Sequence, residues 1–266
     1  MPQLKTNTLT RASVDELGDT AIAGGIPTAT LTYLSGADSR TWDTSEPLTA
    51  ATCPDLITAT WETSGVSVAA GVDLVAAHYC TLDEIRAYRE TAYQLTGASD
   101  EETAAARAQA EELIERECHR FFTPVLREAL IERTNCTGAR YPVVMDGYAH
   151  DLRSVVSAVY VDDGSAAKVK LASDETVDVT AIKQHRPVRA VLEIGASHVP
   201  AEVKEAVIAL AAWYMLPKAG PDNATSESTD AGVLRFVVGG VGGAATSLPA
   251  VNAAIGRYGV REWNMR

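Results

Sequence analysis

At Thr81 the hydrophobic period of this chain changes, and that change limits the fold more than any other feature. Upstream, "TATLTY" (Thr28 to Tyr33) and "LITATW" (Leu56 to Trp61) alternate in the manner of half-buried strands. Downstream, "CTLDEIRAYRETAYQL" has a helical repeat, with Leu82, Ile85, Tyr88 or Arg89, and Ala92 on one face. Thr81 and Glu84 form a capping box, in which the hydroxyl and the carboxylate each accept from a backbone N–H of the other residue. Gly97 is placed to stop this helix, and Ser99 with Glu102 opens a second one. Its apolar stripe runs through Ala106, Ala110, Leu113, Ile114 and Phe121, with Glu111, Glu112, Glu115 and Arg116 largely outside it. The expectation is a helical hairpin.

Before this hairpin, residues 1 to 25 carry no clear period and are expected to form a mobile arm. Residues 26 to 80 are expected to form a small β module, with loop chemistry in "SGADSRTWDTSEP" and a third apolar stretch, Val66 to Tyr79, broken at Gly71. After Phe122 the period returns to two. "VLREALIERT" and "ARYPVVM" are expected to pair as a hairpin around "NCTG", and "SVVSAVYV" with "SAAKVKL" around "DDG". "VRAVLEIG" is a further strand. A third helix follows Val199-Pro200, with Val203, Ala206, Val207, Leu210, Ala211 and Tyr214 on its apolar face and Pro217 at its end. The tract from Lys218 to Gly232 is small and polar, and by itself buries too little to fold. "VLRFVVGG" (Val233 to Gly240) then has strand propensity without an evident partner in the chain, and "SLPAVNAAIGRY" reads as a last short helix.

The residues offer little to chemistry. GxSxG, HExxH and GxxxxGK[ST] are absent, and "GGVGG" lacks the lysine of a phosphate loop, so no catalytic, cofactor or metal residue is assigned. The five histidines are scattered, and Cys53, Cys80, Cys118 and Cys136 have no zinc spacing, which leaves mostly buried free thiols. Asp162-Asp163-Gly164 could hold a cation, but a β-turn accounts for it. The formal charge of −12 argues against tight nucleic-acid binding by the whole surface. No apolar run reaches the ~20 residues of a membrane span. The N-terminal stretch lacks a signal-peptide core, which predicts a protein made and kept in a cytoplasm.

Read from Thr81 onward, the order of parts resembles the head-to-tail connector (adaptor) proteins of long-tailed bacteriophages. The resemblance lies in the helix pair running into Phe121-Phe122-Thr123-Pro124, then "YPVVMDGYAHDLRSVVSAVYVDDG", then the "VP"-led helix with its Ser/Thr-rich tract, and "SLPAVNAAIGRYGV" ending in Arg257-Tyr258. It covers residues 80 to 260, and the N-terminal β module looks like an addition found in connectors of some actinobacterial phages. It implies an α+β fold: a helical-bundle connector core over residues 81–217 with an inserted β-hairpin segment, and an extended portal-docking tail over 218–266 carrying a short terminal helix. It also implies a non-enzymatic virion neck protein. Such proteins form a ring, commonly of twelve subunits, under the portal. They extend the DNA channel and carry the head-closure (stopper) and tail proteins.

Its partners would be itself, the portal, those proteins and passing double-stranded DNA. It would be located in the virion, and in host cytoplasm during assembly. On this reading Arg235, Phe236, Val237 and Val238 are the portal-directed strand, Trp263 and Arg266 are further portal contacts, and Glu111, Glu112 and Glu115 line the channel. The competing expectations are another neck or tail component, such as a stopper or tail terminator, or a module binding host or decoration surfaces.

Overall fold

The computed structural model describes residues 11–12, 28–36, 39–43, 53–63, 66–75, 77–88, 95, 97–131, 140–142, 151–183, 186–216, 226–229, 232–235 and 245–260. The chain divides into two units, each built from two stretches: residues 1–78 with 120–198, and residues 79–119 with 199–266.

The first unit is built from sheets. β1 (Arg11–Ala12), β2 (Thr28–Tyr33), β3 (Arg40–Asp43), β4 (Asp55–Thr63) and β5 (Val66–Leu74) form a sheet of order β1-β5-β4-β2-β3. Alternation works as expected here: Leu31 pairs with Ala59 and both are buried. Two features differ from expectation. The turn-rich "SGADSRTWDTSEP" contains β3, which pairs with β2 along Thr28↔Asp43 to Leu31↔Arg40. β5 runs unbroken through Gly71, which sits opposite Thr58. The remainder of the expected arm, residues 1–10 and 13–25, lies outside the described residues.

β6 (Val125–Ile131), β8 (Leu152–Tyr160) and β11 (Val188–Ile194) form a three-stranded antiparallel sheet of order β6-β11-β8. Beside it in the sequence, β7 (Arg140–Pro142), β9 (Lys170–Leu171) and β10 (Thr176–Asp178) form another, of order β7-β10-β9. The expected pairing of β6 with β7 is therefore wrong. β6 pairs with β11 in register from Val188↔Ile131 to Ile194↔Val125. This register places Val188, Ala190, Leu192 and Ile194 in one buried cluster with Val125, Ala129, Ile131, Leu152, Tyr160 and Val75. Burying that alternating face outweighs the short loop closure of a local hairpin. Arg127 lies on the core side of β6. It reaches Asp73 through two bonds of 2.6 Å, and its guanidinium stands 4.9 Å from the Phe121 ring centroid.

A glycine is required at the end of β11. Gly195 has φ +123°, and a Cβ there would lie 2.2 Å from the Thr123 carbonyl oxygen.

The second unit holds the helices: α1 (Leu82–Arg86), α2 (Asp100–Cys118), α3 (Ala201–Met215) and α4 (Pro249–Tyr258). Both expected capping boxes form, at Thr81/Glu84 and Ser99/Glu102. Pro200 takes the N-cap of α3, one position before the one expected. α3 buries Val203, Ala206, Val207, Leu210 and Ala211 as its period predicts, Tyr214 of the expected face is only partly buried, and the expected stop at Pro217 lies outside the described residues. β12 (Ser226–Thr229) and β13 (Gly232–Arg235) form a two-stranded sheet.

The expected helical-bundle core with an inserted hairpin and an extended tail is thus corrected to a mixed α+β fold. Residues 120–198 do not decorate a bundle. They form sheets whose buried cluster includes Val75 from the N-terminal stretch. The tail is not extended throughout. In α4, Val251 and Ala254 are buried, Arg257 pairs with Glu202 of α3, and the Val260 N–H donates to the Cys118 carbonyl at 2.9 Å. Val233 to Arg235, expected to lack a partner in the chain, pair with the Ser/Thr tract as β13 with β12, where threonine and valine both favour strand.

Candidate assembly surfaces

In the second unit, one stripe of polar residues on α2 is used internally. Glu111 is fully buried and accepts the Tyr79 N–H at 2.8 Å, while Glu115, only 4 % exposed, accepts from the Tyr79 hydroxyl. Arg107, one turn N-terminal to Glu111, is also buried and donates to the Cys80 carbonyl at 3.3 Å. The spacing 107, 111, 115 places these groups on one stripe of the helix. A face read from apolar residues alone misses them. Burial, reinforced by the charge of Glu111, pushes the Cys80 thiol up to about 12. Glu84 bonds Lys204 of α3 at 2.6 Å, and that bond holds its carboxyl below the usual range.

In the first unit, the Asp162-Asp163-Gly164 turn is closed by the Gly164 N–H on the Tyr160 carbonyl at 2.9 Å and the Tyr160 N–H on Ser165 at 2.8 Å. Gly164 has φ +68°, which suits glycine. Arg186 pairs with both aspartates and lies 4.1 Å from the Tyr160 ring centroid. Hydrogen bonds from Ser165, with Arg186 as the next cause, lower Asp163 to about 2. The two carboxylates that suggested a cation site therefore already share one guanidinium from their own unit, which offsets one of their two charges.

The β6-β11-β8 sheet has a second face, opposite its core. Leu130, Arg189 and Val159 form one row across it, and Glu128, Val191 and Ser157 the next. Leu130 is 57 % exposed, Val161, two residues beyond Val159, is 45 % exposed, and Val156, at the bulge of β8, is 43 % exposed. The charges on this side are matched: Arg189 with Glu128 at 3.4 Å, and Arg153 with Glu193 at 2.9 Å. Sequence reasoning did not single out these apolar residues. The signal was the spacing of Glu128 and Leu130, which puts a leucine on the polar side of β6.

Of the residues expected to line a channel, Glu112 is exposed, whereas Glu111 and Glu115 point into the second unit. Of those expected to meet a portal, Arg235 ends β13, and Phe236, Val237, Val238, Trp263 and Arg266 lie outside the described residues. Cys80 and Cys118 are buried, Cys53 is exposed, and Cys136 is outside the described residues. Among the described residues, no group of three or more His, Cys, Asp or Glu side chains is arranged to hold a metal ion. Among them too, no helix is long and apolar enough to cross a membrane.

No protein-family model matches the chain. No curated protein matches it either. Similar solved structures include the following two. One is described as the neck of an empty GTA particle computed with C6 symmetry: 17 % identity, 71 % of this chain and 93 % of that chain covered, TM-score 0.46. The other is described as the virion of a native gene transfer agent (GTA) particle: 18 % identity, 70 % and 92 % covered, TM-score 0.43. At this level of likeness, neither fold nor role passes from them to this chain.

Proposed function

We propose that the chain is a structural protein of a tailed-phage virion neck, a ring-forming head-to-tail adaptor. It docks under the portal, extends the DNA channel and presents a platform to head-closure and tail proteins. The observation that carries this reading is the order of parts from Thr81 to Tyr258, in which each landmark of the resemblance falls at a structural joint. The two capping boxes open α1 and α2, and Phe121-Phe122-Thr123-Pro124 leads into β6. The aspartate pair makes the turn after β8, Val199-Pro200 leads into α3, and Arg257-Tyr258 closes α4. The charge of −12 suits a conduit that DNA passes without adhering.

Portal docking is assigned to Arg235 and the residues after it, 236–238, with Trp263 and Arg266 as further contacts. A two-stranded sheet is marginal in water by itself, and an added strand from another chain stabilises it. The test is co-sedimentation of the full chain with rings of the portal protein from the same phage. Replacing residues 226–238 with a Gly/Ser linker is expected to abolish co-sedimentation while the helical circular-dichroism signal persists. Undiminished binding by that variant would refute hairpin docking. A wild-type chain that ignores the portal would refute the adaptor role.

A further inference from the structure

The outer face of the β6-β11-β8 sheet, at its Leu130–Val161 end, is one flank of a contact between copies of this chain, we infer. This rests on the ring-forming reading above and gives it a location. Four large apolar side chains are exposed among the described residues, and three of them, Leu130, Val156 and Val161, belong to this sheet or the residue just past it. Apolar surface gathered on one side of a sheet whose other side is already filled is an association surface.

Charge selects the occupant. At −12 overall, most surfaces of this chain repel a second copy. On this face the two arginines and two glutamates form the matched pairs Arg189–Glu128 and Arg153–Glu193. The nearby Asp162 and Asp163 share Arg186, so one negative charge remains uncompensated beside the face. A nearly neutral, partly apolar face lets one copy approach another with little long-range repulsion. Its exchangeable ion pairs then fix register at the rim. In a cyclic assembly the two flanks of each subunit differ, so this face meets an unlike surface of the neighbouring copy.

The experiment places two acids on the face, in the full chain, as Leu130→Glu with Val161→Glu. Both sites are exposed, so the fold tolerates them. Ala105→Glu, on the exposed side of α2, adds an acid elsewhere as the control. Self-association is read by sedimentation velocity and light scattering across concentration, and folding by thermal melting. The double variant is expected to associate at least about tenfold more weakly than wild type, and the control within about twofold. Recovery of association when Leu130→Lys/Val161→Lys is mixed with Leu130→Glu/Val161→Glu would overturn the head-to-tail form, since it requires this face to meet itself. Wild-type assembly that neither acid disturbs overturns the contact and leaves the neck reading standing. A wild-type chain that stays monomeric both alone and with portal rings overturns both.

Discussion

The β6-β11-β8 sheet and helix α2 handle charge in opposite ways. Around β6, β8 and β11 the interior is apolar, and the ion pairs Arg120–Asp151, Arg127–Asp73 and Arg153–Glu193 are held by partly exposed side chains. In α2, by contrast, Arg107, Glu111 and Glu115 are carried into the interior, where Tyr79 donates to both glutamates and Arg107 donates to the Cys80 carbonyl. The first arrangement takes its stability from area removed from water. The second depends on the buried glutamates keeping their donors, because an orphaned polar group costs more than the bond itself contributes. The two should therefore fail differently under substitution.

The largest difference is expected from Leu192→Ala. Leu192 is fully buried in the middle strand of its sheet, and its truncation should cost about 2–5 kcal/mol in denaturant unfolding. Glu111→Ala should cost about 1–3 kcal/mol by leaving the Tyr79 N–H without its acceptor. Glu111→Gln, which keeps an acceptor oxygen, should recover part of that loss. If the glutamine variant is no better than alanine, the bond to Tyr79 is not what holds α2. Gly195→Ala should destabilise by about 1–3 kcal/mol, with amide-exchange protection lost first in β6 and β11. Unchanged exchange in those strands would mean that the close approach to Thr123 relaxes freely.

The smallest effect is electrostatic. The folded-state pKa of Asp163 is depressed, so its contribution is complete above the ordinary aspartate range and is lost as pH falls toward about 2. A carboxyl-carbon titration by NMR checks this, and a midpoint in the ordinary range would show that the Ser165 and Arg186 contacts do not persist in solution.

Local features were legible in the sequence where a local rule suffices. Both capping boxes, the start of α3 to within one position, and the alternation of β2 and β4 follow from residues within a few positions of one another. Partner choice was not legible. β6 bypasses the nearby β7 for β11, more than 50 residues away, because the decision rests on which face a distant strand can bury. β3 was concealed by Gly, Asp and Ser that mark turns on either side of it. In the candidate surfaces, Glu111 and Glu115 were misplaced for a related reason: an apolar stripe defines the centre of a buried helical face but not its polar margins. Leu130 was readable as a leucine on a polar side, yet only the register with Arg189 and Val159 shows that it belongs to a continuous face.

The central claim is that this chain works by assembling with copies of itself on a portal. Cryo-microscopy of portal rings incubated with the full-length chain tests it most directly. The account predicts a second ring of density coaxial with the portal, with the Leu130–Val161 face of each subunit against its neighbour. Bare portal rings beside a chain that sediments as a monomer at every concentration would contradict it.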